Sequence, residues 1–139
     1  MKQLDLISHV MTTNLKTVQI HQKLSEVRRI FIENQLHHIP VVHDRKLVGL
    51  ISTTDMLKLN LATSGTNSWS IDTMLDQQFT IEQVMQRNLV TIDIHSTVRK
   101  AAHLLSDGVF HSLPVVDRDN NLVGIITSTD LIRYLARLC

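Results

Sequence analysis

Two short runs of hydroxyl residues, each ending in an aspartate, are the residues of this chain best suited to bind a ligand. Residues 52–55 read Ser-Thr-Thr-Asp and residues 127–130 read Thr-Ser-Thr-Asp, each between an apolar run and a predicted helix. The first N–H groups of a helix and its dipole attract anions. The hydroxyl groups suit phosphate or sugar oxygens, and a carboxylate suits the two hydroxyl groups of a ribose. The two runs therefore predict binding of a ribose phosphate.

The same residues also fit an interpretation without a ligand. A Ser or Thr followed three residues later by an acidic side chain is close to a capping box, which only satisfies free N–H groups at the beginning of a helix. One copy of this pattern would favour the cap. Because the whole strand-to-helix context occurs twice, the duplication favours a ligand site. Both interpretations stay open on these residues alone.

Two histidines, His37 and His111, occupy equivalent positions two residues before an Ile-Pro or Leu-Pro pair. The chain has 8 histidines, which raises the question of a metal site. His37 and His38 are adjacent and point to opposite sides of a strand, and no Cys or carboxylate completes a ligand set, so we predict no metal. The plain interpretation of each histidine is a residue at the surface or at the edge of the core.

A duplication covers most of the chain. Val-Met-x-x-Asn-Leu begins at Val10 and returns at Val84, and the aspartate at Asp55 returns as Asp130, with a slightly longer turn in the second copy. A repeat of this kind sets the fold hypothesis. We predict repeat 1 with an N-terminal helix, a polar linker and repeat 2, together one module, over residues 1–62, 63–79 and 80–139.

Each repeat is predicted to form a helix, a strand, a helix, two strands and a final helix. In repeat 2, Thr80 and Gln83 fit a capping box at the first helix, and Ser96 is the expected N-cap of the second. The second helix should stop at Gly108, and its counterpart in repeat 1 at Asn34, because both residues accept the left-handed conformation. The counterpart helix has no good N-cap of its own. β-Branched runs on both sides of a polar turn predict a hairpin in each repeat.

Composition excludes several classes of protein. The chain of 139 residues has 14 basic and 13 acidic residues, and its net charge of +1 provides no field that attracts nucleic acid. Cys139 is the only cysteine, so there is no disulfide framework. We predict no enzymatic activity, because there is no Gly-rich phosphate loop and no nucleophile with a base beside it. Without a signal peptide or an apolar run long enough for a membrane, we expect a cytoplasmic protein.

The repeated motifs resemble a tandem pair of CBS domains, modules named after cystathionine β-synthase. The resemblance covers residues 10–62 and 84–137 and depends on three motifs in order, Val-Met, His-x-Ile/Leu-Pro-Val-Val and Gly-x-Ile-Ser/Thr-x-x-Asp. It implies an α+β fold of two β-α-β-β-α CBS repeats packed sheet to sheet with pseudo-two-fold symmetry. In similar proteins, clefts between the repeats commonly bind adenosine compounds, and no cofactor is required.

The resemblance also implies which residues bind the ligand. The aspartates hold the ribose, the hydroxyl three residues earlier helps to place ribose or phosphate, and the histidine meets phosphate in some members. The first strand and the backbone before the proline border the adenine. In repeat 1 the expected residues are Thr17, Val18, His37, His38, Ile39, Pro40, Ser52, Thr53 and Asp55. In repeat 2 they are Thr91, Ile92, His111, Ser112, Leu113, Pro114, Thr127, Ser128 and Asp130.

The function that the resemblance implies is regulation. We expect the clefts to sense AMP, ADP or ATP, in preference to S-adenosylmethionine, and an unidentified effector protein to respond to the bound state. The residue after the histidine is often Arg in phosphate-binding members, but here it is His38 or Ser112, which argues against a triphosphate. The alternative is a structural or dimerisation module whose clefts stay empty.

We also expect a homodimer. The apolar faces of the helices exceed what two small repeats can bury, and exposed apolar area of that kind normally marks an interface. The final helices of the repeats supply the expected interface residues, namely Met56, Leu57, Leu59, Leu131, Ile132 and Tyr134.

Overall fold

The structure is a computed structural model that describes residues 5–62 and 68–139. Repeat 1 consists of a 3-10 turn (Ile7–His9), β1 (Val18–Gln19), α1 (Leu24–Glu33), β2 (His38–His43), β3 (Lys46–Ser52) and α2 (Thr53–Ala62). Next along the chain are α3 (Ser68–Gln78), α4 (Ile81–Val84), β4 (Ile92–Asp93), α5 (Val98–Leu105), β5 (Ser112–Val116), β6 (Leu122–Thr127) and α6 (Ser128–Leu138). The fold is α+β, and the predicted order of elements is confirmed, except that a 3-10 turn replaces the first helix of repeat 1 and that α3 is additional.

Each repeat forms a three-stranded sheet, and the two sheets have the same topology. β1 pairs in parallel with β2, and β2 pairs antiparallel with β3, so that His38 lies beside Ser52. β4, β5 and β6 pair in the same way, and Ser112 lies beside Thr127. The predicted hairpins are therefore present. Each hairpin brings the end of the last strand, where α2 or α6 begins, next to the beginning of the middle strand.

The chain consists of two compact units, and each unit contains one of the sheets. The β1–β3 unit consists of Lys16–Leu89, and the β4–β6 unit consists of the residues up to Leu15 and those from Val90 onward. Buried core residues of the β1–β3 unit include Val18, Leu24, Val27, Ile39, Val41, Ile51, Leu75 and Ile81. Those of the β4–β6 unit include Ile7, Ile92, Ala101, Leu113, Val115 and Ile126.

The first residues of each repeat join the unit that holds the sheet of the other repeat. We call residues 5–12 the first entry segment and residues 81–86 the second entry segment. Ile7 and Ile81 are equivalent in the duplication, and both are fully buried, one in each unit. Burial of these two side chains anchors the entry segments, because full burial of one aliphatic side chain stabilises by about 1.5–3 kcal/mol.

The compact units therefore do not have the boundaries of the sequence duplication. The duplication gives repeats over 1–62 and 80–139, whereas the units divide the chain after Leu15 and after Leu89. Within the predicted linker, residues 63–67 lie outside the described residues, and the next eleven residues form α3. The sequence pattern did not predict this helix.

The ends of the helices follow the predictions in part. The capping box at α4 is confirmed, because Thr80 Oγ1 accepts from Gln83 N and Gln83 Oε1 accepts from Thr80 N. The prediction that Ser96 caps α5 is wrong, and Thr97 does so by accepting from Lys100 N at 3.1 Å. The Ser96 carbonyl instead accepts a bond from the first entry segment, so the helix begins one residue later.

The predicted C-terminal signals also differ in detail. Asn34 is the C-cap of α1, but its backbone is extended, with φ −132° and ψ 146°, and not left-handed. Its side-chain amide donates to the Ile30 carbonyl at 2.9 Å, which satisfies one of the last carbonyls of the helix. Gly108 does adopt the left-handed conformation, with φ 77°, although α5 ends earlier, at Leu105.

Helix α1, which has no N-cap in its own sequence, receives one from α3. The Asp76 carboxylate accepts from Ser25 N at 2.9 Å and from Ser25 Oγ at 2.7 Å. One turn earlier on α3, Asp72 forms an ion pair with Arg28 of α1 at 3.0 Å. A carboxylate at the positive end of a helix satisfies a free N–H and interacts favourably with the dipole. Helix α3 therefore completes α1, and it also contributes the buried Leu75 to the core.

We predict that Asp76→Ala destabilises the protein by about 1–2 kcal/mol, the range of a lost N-cap. The matched control is Asp72→Ala on the same face of α3. Its ion pair with Arg28 is partly exposed, and such pairs contribute about 0–1 kcal/mol. Urea unfolding of both variants measures the difference. An equal loss in the two variants would contradict the capping role of Asp76.

Candidate functional site

The capping box predicted as an alternative at the two hydroxyl runs is present in both units. Asp55 Oδ2 accepts from Ser52 N at 2.9 Å, and Asp55 N donates back to Ser52 Oγ at 3.1 Å. At α6, Asp130 Oδ2 accepts from Thr127 N and Asp130 N donates to Thr127 Oγ1, both at 3.0 Å. In each case the cap uses one carboxylate oxygen. The other oxygen, Oδ1, is left for a further donor, so the cap and a ligand site are compatible.

A side chain from an entry segment donates to each of these carboxylates. Thr12 Oγ1 lies 3.1 Å from Asp130 Oδ1, and Gln86 Nε2 lies 3.2 Å from Asp55 Oδ2. Thr12 and Gln86 occupy equivalent positions in the duplication. Neither residue was predicted from the sequence, because the two side chains differ and neither is part of a repeated motif. The sequence signal that could have identified them is their position directly after the repeated Val-Met pair.

A glycine in the last strand of each sheet lets the entry segment approach. A Cβ on Gly124 of β6 would lie 2.7 Å from Met11 Sδ and 3.1 Å from the Thr12 carbonyl oxygen. A Cβ on Gly49 of β3 would lie 2.8 Å from Met85 Cγ. Both distances to the methionines are shorter than real side-chain contacts allow. The repeated Val-Met and Gly motifs therefore have one explanation, which is that the methionine packs directly on the glycine.

Backbone bonds next to each glycine hold the entry segment in register. Thr12 exchanges two bonds with Ile125, at 2.8 and 2.9 Å, and Gln86 exchanges two bonds with Leu50, at 2.8 and 3.0 Å. Paired N–H and C=O groups of this kind extend an antiparallel ladder. This register fixes which residue of the entry segment faces the carboxylate.

In the β1–β3 unit, most of the predicted residues meet at one corner of the sheet. The His37 carbonyl accepts from Thr53 N at 3.0 Å, and Ile39 pairs with Ile51. Residues 37–40 therefore lie beside residues 52–55. Thr17 is exposed and precedes β1, which pairs with β2 farther along, at Val41–Val42.

In the β4–β6 unit, the same corner forms from the equivalent residues. The His111 carbonyl accepts from Ser128 N at 3.0 Å, and Ser112 pairs with Thr127. Thr91, which precedes β4, is half-buried, whereas His111 is exposed.

Several predicted residues can offer only their backbone to a ligand, because their side chains are in the cores. These are Val18, Ile39, Pro40, Ile92, Leu113 and Pro114. The side chains at the two corners that are at least partly accessible are those of Thr17, His37, His38, Ser52, Thr53, Asp55, Thr91, His111, Ser112, Thr127 and Ser128.

Asp55 also lines a pocket of about 450 Å³ within the β1–β3 unit. Of its described lining residues, Asp55 alone was predicted as a site residue. The others are Lys58, Leu59, Gln78, Phe79, Gln83 and Val84. The pocket thus combines a carboxylate, an ammonium group and an aromatic side chain, which suit a diol, an anion and an apolar ring.

Two further findings concern metals and membranes. In residues 5–62 and 68–139, no three His, Cys, Asp or Glu side chains come together as ligands for a metal ion. Among the helices described, none has both the length and the apolar character needed to cross a bilayer.

Comparison with known proteins gives a consistent family. The sequence model of the CBS domain matches residues 7–61 and again residues 81–137. Homoserine O-acetyltransferase of Methanohalobium evestigatum is 28% identical over 93% of this chain but only 24% of its own length. The chain spans about a quarter to a half of the length of the first curated relatives that it matches.

Two solved structures have the same fold. The CBS domain pair of protein MJ0100, in complex with 5′-methylthioadenosine and S-adenosyl-L-methionine, has a TM-score of 0.75 and 28% identity, with 98% of this chain and 99% of that chain covered. CBSX2 in complex with AMP has a TM-score of 0.79 and 22% identity, with 96% and 98% covered.

The packing of methionine on glycine leads to a testable expectation. Gly49→Ala should destabilise the protein by about 1–3 kcal/mol, the usual cost of overpacking, because the new methyl group overlaps Met85. Adding Met85→Ala removes the overlap, so the double variant should lose less stability than the sum of the two single variants. Chemical unfolding of the four proteins gives the coupling energy.

Gly124→Ala combined with Met85→Ala is the matched control. Met11, and not Met85, is the methionine in contact with Gly124, so these two substitutions should add. Additive losses for Gly49→Ala and Met85→Ala would show that the glycine is not there to admit the methionine.

Proposed function

Because the chain belongs to the CBS domain family, we propose that it is a regulatory module that binds an adenosine-containing nucleotide and passes the bound state to a partner protein. The observation that carries the proposal is the set of hydrogen bonds to the carboxylates of Asp55 and Asp130, which we call the helix-start carboxylates. Each is fixed by a capping box through Oδ2 and also accepts from a side chain of an entry segment. A ribose diol can replace that side chain as the donor, with its two hydroxyl groups on the two oxygens.

The remainder of the nucleotide is assigned to the corner of the sheet around each carboxylate. We place the adenine against the backbone before each proline, at residues 38–39 and 112–113, and against the beginning of the first strand at Thr17 and Thr91. The phosphate is placed near His37 or His111, whose exposed side chains precede the middle strand. These assignments come from the family motifs and agree with the pairing of the strands.

The comparison with protein MJ0100 supports adenosine as the shared part of the ligand. That protein binds 5′-methylthioadenosine and S-adenosyl-L-methionine, two compounds that share adenosine and differ in the group at the 5′ position. In this chain, Lys58 lines the same pocket as Asp55 and offers a positive charge to a 5′ phosphate. We therefore propose AMP as the first ligand, with ADP, ATP and S-adenosylmethionine as the alternatives to be compared. Measured binding of any of these ligands would exclude the alternative of a purely structural module.

We propose that the module has no catalytic activity of its own and works in the cytoplasm, where these nucleotides are available. Relatives with enzyme names are matched over only 12–24% of their length, so their names describe proteins with much additional chain. The proposed output is a change in affinity for a separate effector protein. A ligand changes such an affinity only by its difference in binding to the two states.

The proposal predicts that removing the charge of both helix-start carboxylates together weakens AMP binding. Asp→Asn at residues 55 and 130 keeps most of the cap but loses a charged acceptor, and hydrogen bonds to charged groups contribute about 1.5–3 kcal/mol. The double variant should bind AMP about ten- to a hundredfold more weakly, with its unfolding midpoint nearly unchanged. Titration calorimetry with AMP, and in parallel with S-adenosylmethionine, measures this. Unchanged affinity in the double variant, or no binding of either compound to the native chain, would contradict the proposal.

We further propose a homodimer built from the final helices of the repeats. Leu57 of α2 and Ile132 of α6 are equivalent, and their side chains are 59% and 65% exposed. Leu135 and Leu138 extend the exposed apolar stripe on α6. Met56, Leu59 and Tyr134, expected from the sequence at the interface, are instead buried in the cores of their own units. Exposed apolar positions that recur in both repeats suit a self-complementary interface with a second copy.

Replacing Ile132 and Leu135 together by Glu should convert the dimer to a monomer, because two charges would be buried in the interface. Ile32→Glu on α1 is the control, since Ile32 is equally exposed, at 66%, but lies outside the final helices. Light scattering at about 20–50 μM, where an interface of micromolar affinity still associates, reports the mass. A monomeric native chain, or loss of the dimer in the Ile32 variant, would contradict this interface.

A further inference from the structure

We propose that the two carboxylate sites are not equivalent, and that the nucleotide binds at Asp55 while Asp130 remains a structural cap closed by Thr12. This inference rests on the proposed function and specifies which of its two candidate sites works. It is drawn from the position of each entry segment that donates to the carboxylate, which is Thr12 in one unit and Gln86 in the other.

Asp130 is fully engaged within the β4–β6 unit. Its Oδ2 accepts from Thr127 N at 3.0 Å, and its Oδ1 accepts from Thr12 Oγ1 at 3.1 Å. Asp130 is only 8% exposed. Thr12 is β-branched, with few rotamers, and both its N–H and its C=O are bonded to Ile125. A ribose could reach Oδ1 only if the exposed Thr12 hydroxyl rotated away from it, and this carboxylate is the more buried of the two.

Asp55 is held more loosely within the β1–β3 unit. Gln86 Nε2 lies 3.2 Å from Asp55 Oδ2 and 3.5 Å from Oδ1. The contact of Gln86 with Oδ1 is therefore long. Gln86 is exposed and Asp55 is half-buried. The long Gln side chain can rotate into solvent while the backbone of the same residue stays bonded to Leu50. A diol can therefore replace the amide without any movement of the backbone.

The pocket beside Asp55 offers space for the rest of a nucleotide at the same site. Lys58 lies three residues later on α2, and both residues line the pocket of about 450 Å³. A carboxylate and an ammonium group in one pocket match a nucleoside monophosphate, with the diol on the carboxylate. The phosphate then lies on the ammonium group of Lys58 and not at His37, where the family motifs place it. The duplication supplies a matched control, because Arg133 of α6 stands in the same place after Asp130 as Lys58 does after Asp55.

The test is calorimetric titration of the full chain with AMP, using two pairs of variants. We expect one site per chain in the native protein. Asp55→Asn should weaken AMP binding about ten- to a hundredfold, whereas Asp130→Asn should change it by less than about twofold. Lys58→Gln should weaken binding about five- to tenfold, and Arg133→Gln should leave it unchanged. The unfolding midpoint of each variant confirms that it is folded, and the Lys58 and Arg133 pair decides the question if an aspartate variant does not fold.

Two outcomes overturn the inference while the proposed function survives. One is binding of two equivalent AMP molecules per chain. The other is a loss of affinity in Asp130→Asn or Arg133→Gln as large as in its partner variant. If the native chain binds no AMP, both the inference and AMP as the ligand are overturned. The titration of the native chain therefore distinguishes failure of the inference alone from failure of the proposed function.

Discussion

The close approach of a methionine to a glycine is the contact on which both units depend. Gly49 and Gly124 have no side chain where Met85 and Met11 pack, so an entry segment can lie flat on the last strand of each sheet. That approach permits the backbone bonds of Gln86 and Thr12 to the neighbouring strand residue. Because the backbone is then fixed, the side chain of the same residue is held against the helix-start carboxylate. The geometry of each candidate site thus depends on a glycine, which has no Cβ, directly before the strand residue that pairs with the entry segment.

The two corners show how a duplicated scaffold can give two different surroundings to the same carboxylate. The strands, the glycine, the hydroxyl residue and the aspartate are retained in both repeats, and they hold the carboxylate in the same capping geometry. The donor from the entry segment is a short hydroxyl side chain in one unit and a long amide in the other. Rotamer freedom and reach therefore decide whether the carboxylate can change partners. A single residue can alter this property without any change in the fold.

The sequence was sufficient for the parts of the structure that depend on near neighbours. The hairpins, the capping box at Thr80 and the junctions ending in Asp55 and Asp130 are encoded within a few residues and occur twice. Other features depend on contacts between residues far apart in the chain. Asp76 caps a helix that begins about 51 residues earlier, and Thr12 meets a carboxylate 118 residues later. A residue pattern cannot reveal such contacts without knowledge of which segments exchange places, and the family motifs do not include either residue.

The exchange of entry segments also has a consequence for the origin of the chain. In a protein with only one repeat, the same exchange would require a second copy, because each entry segment packs on the sheet of the other repeat. A single-repeat protein that made this exchange would form a pair of copies whose assembly depends on protein concentration. Fusion of the two copies made the exchange intramolecular, at an effective concentration set by the connecting chain and not by expression level. Once fused, the two copies of each position were free to diverge, which separate identical chains could never do.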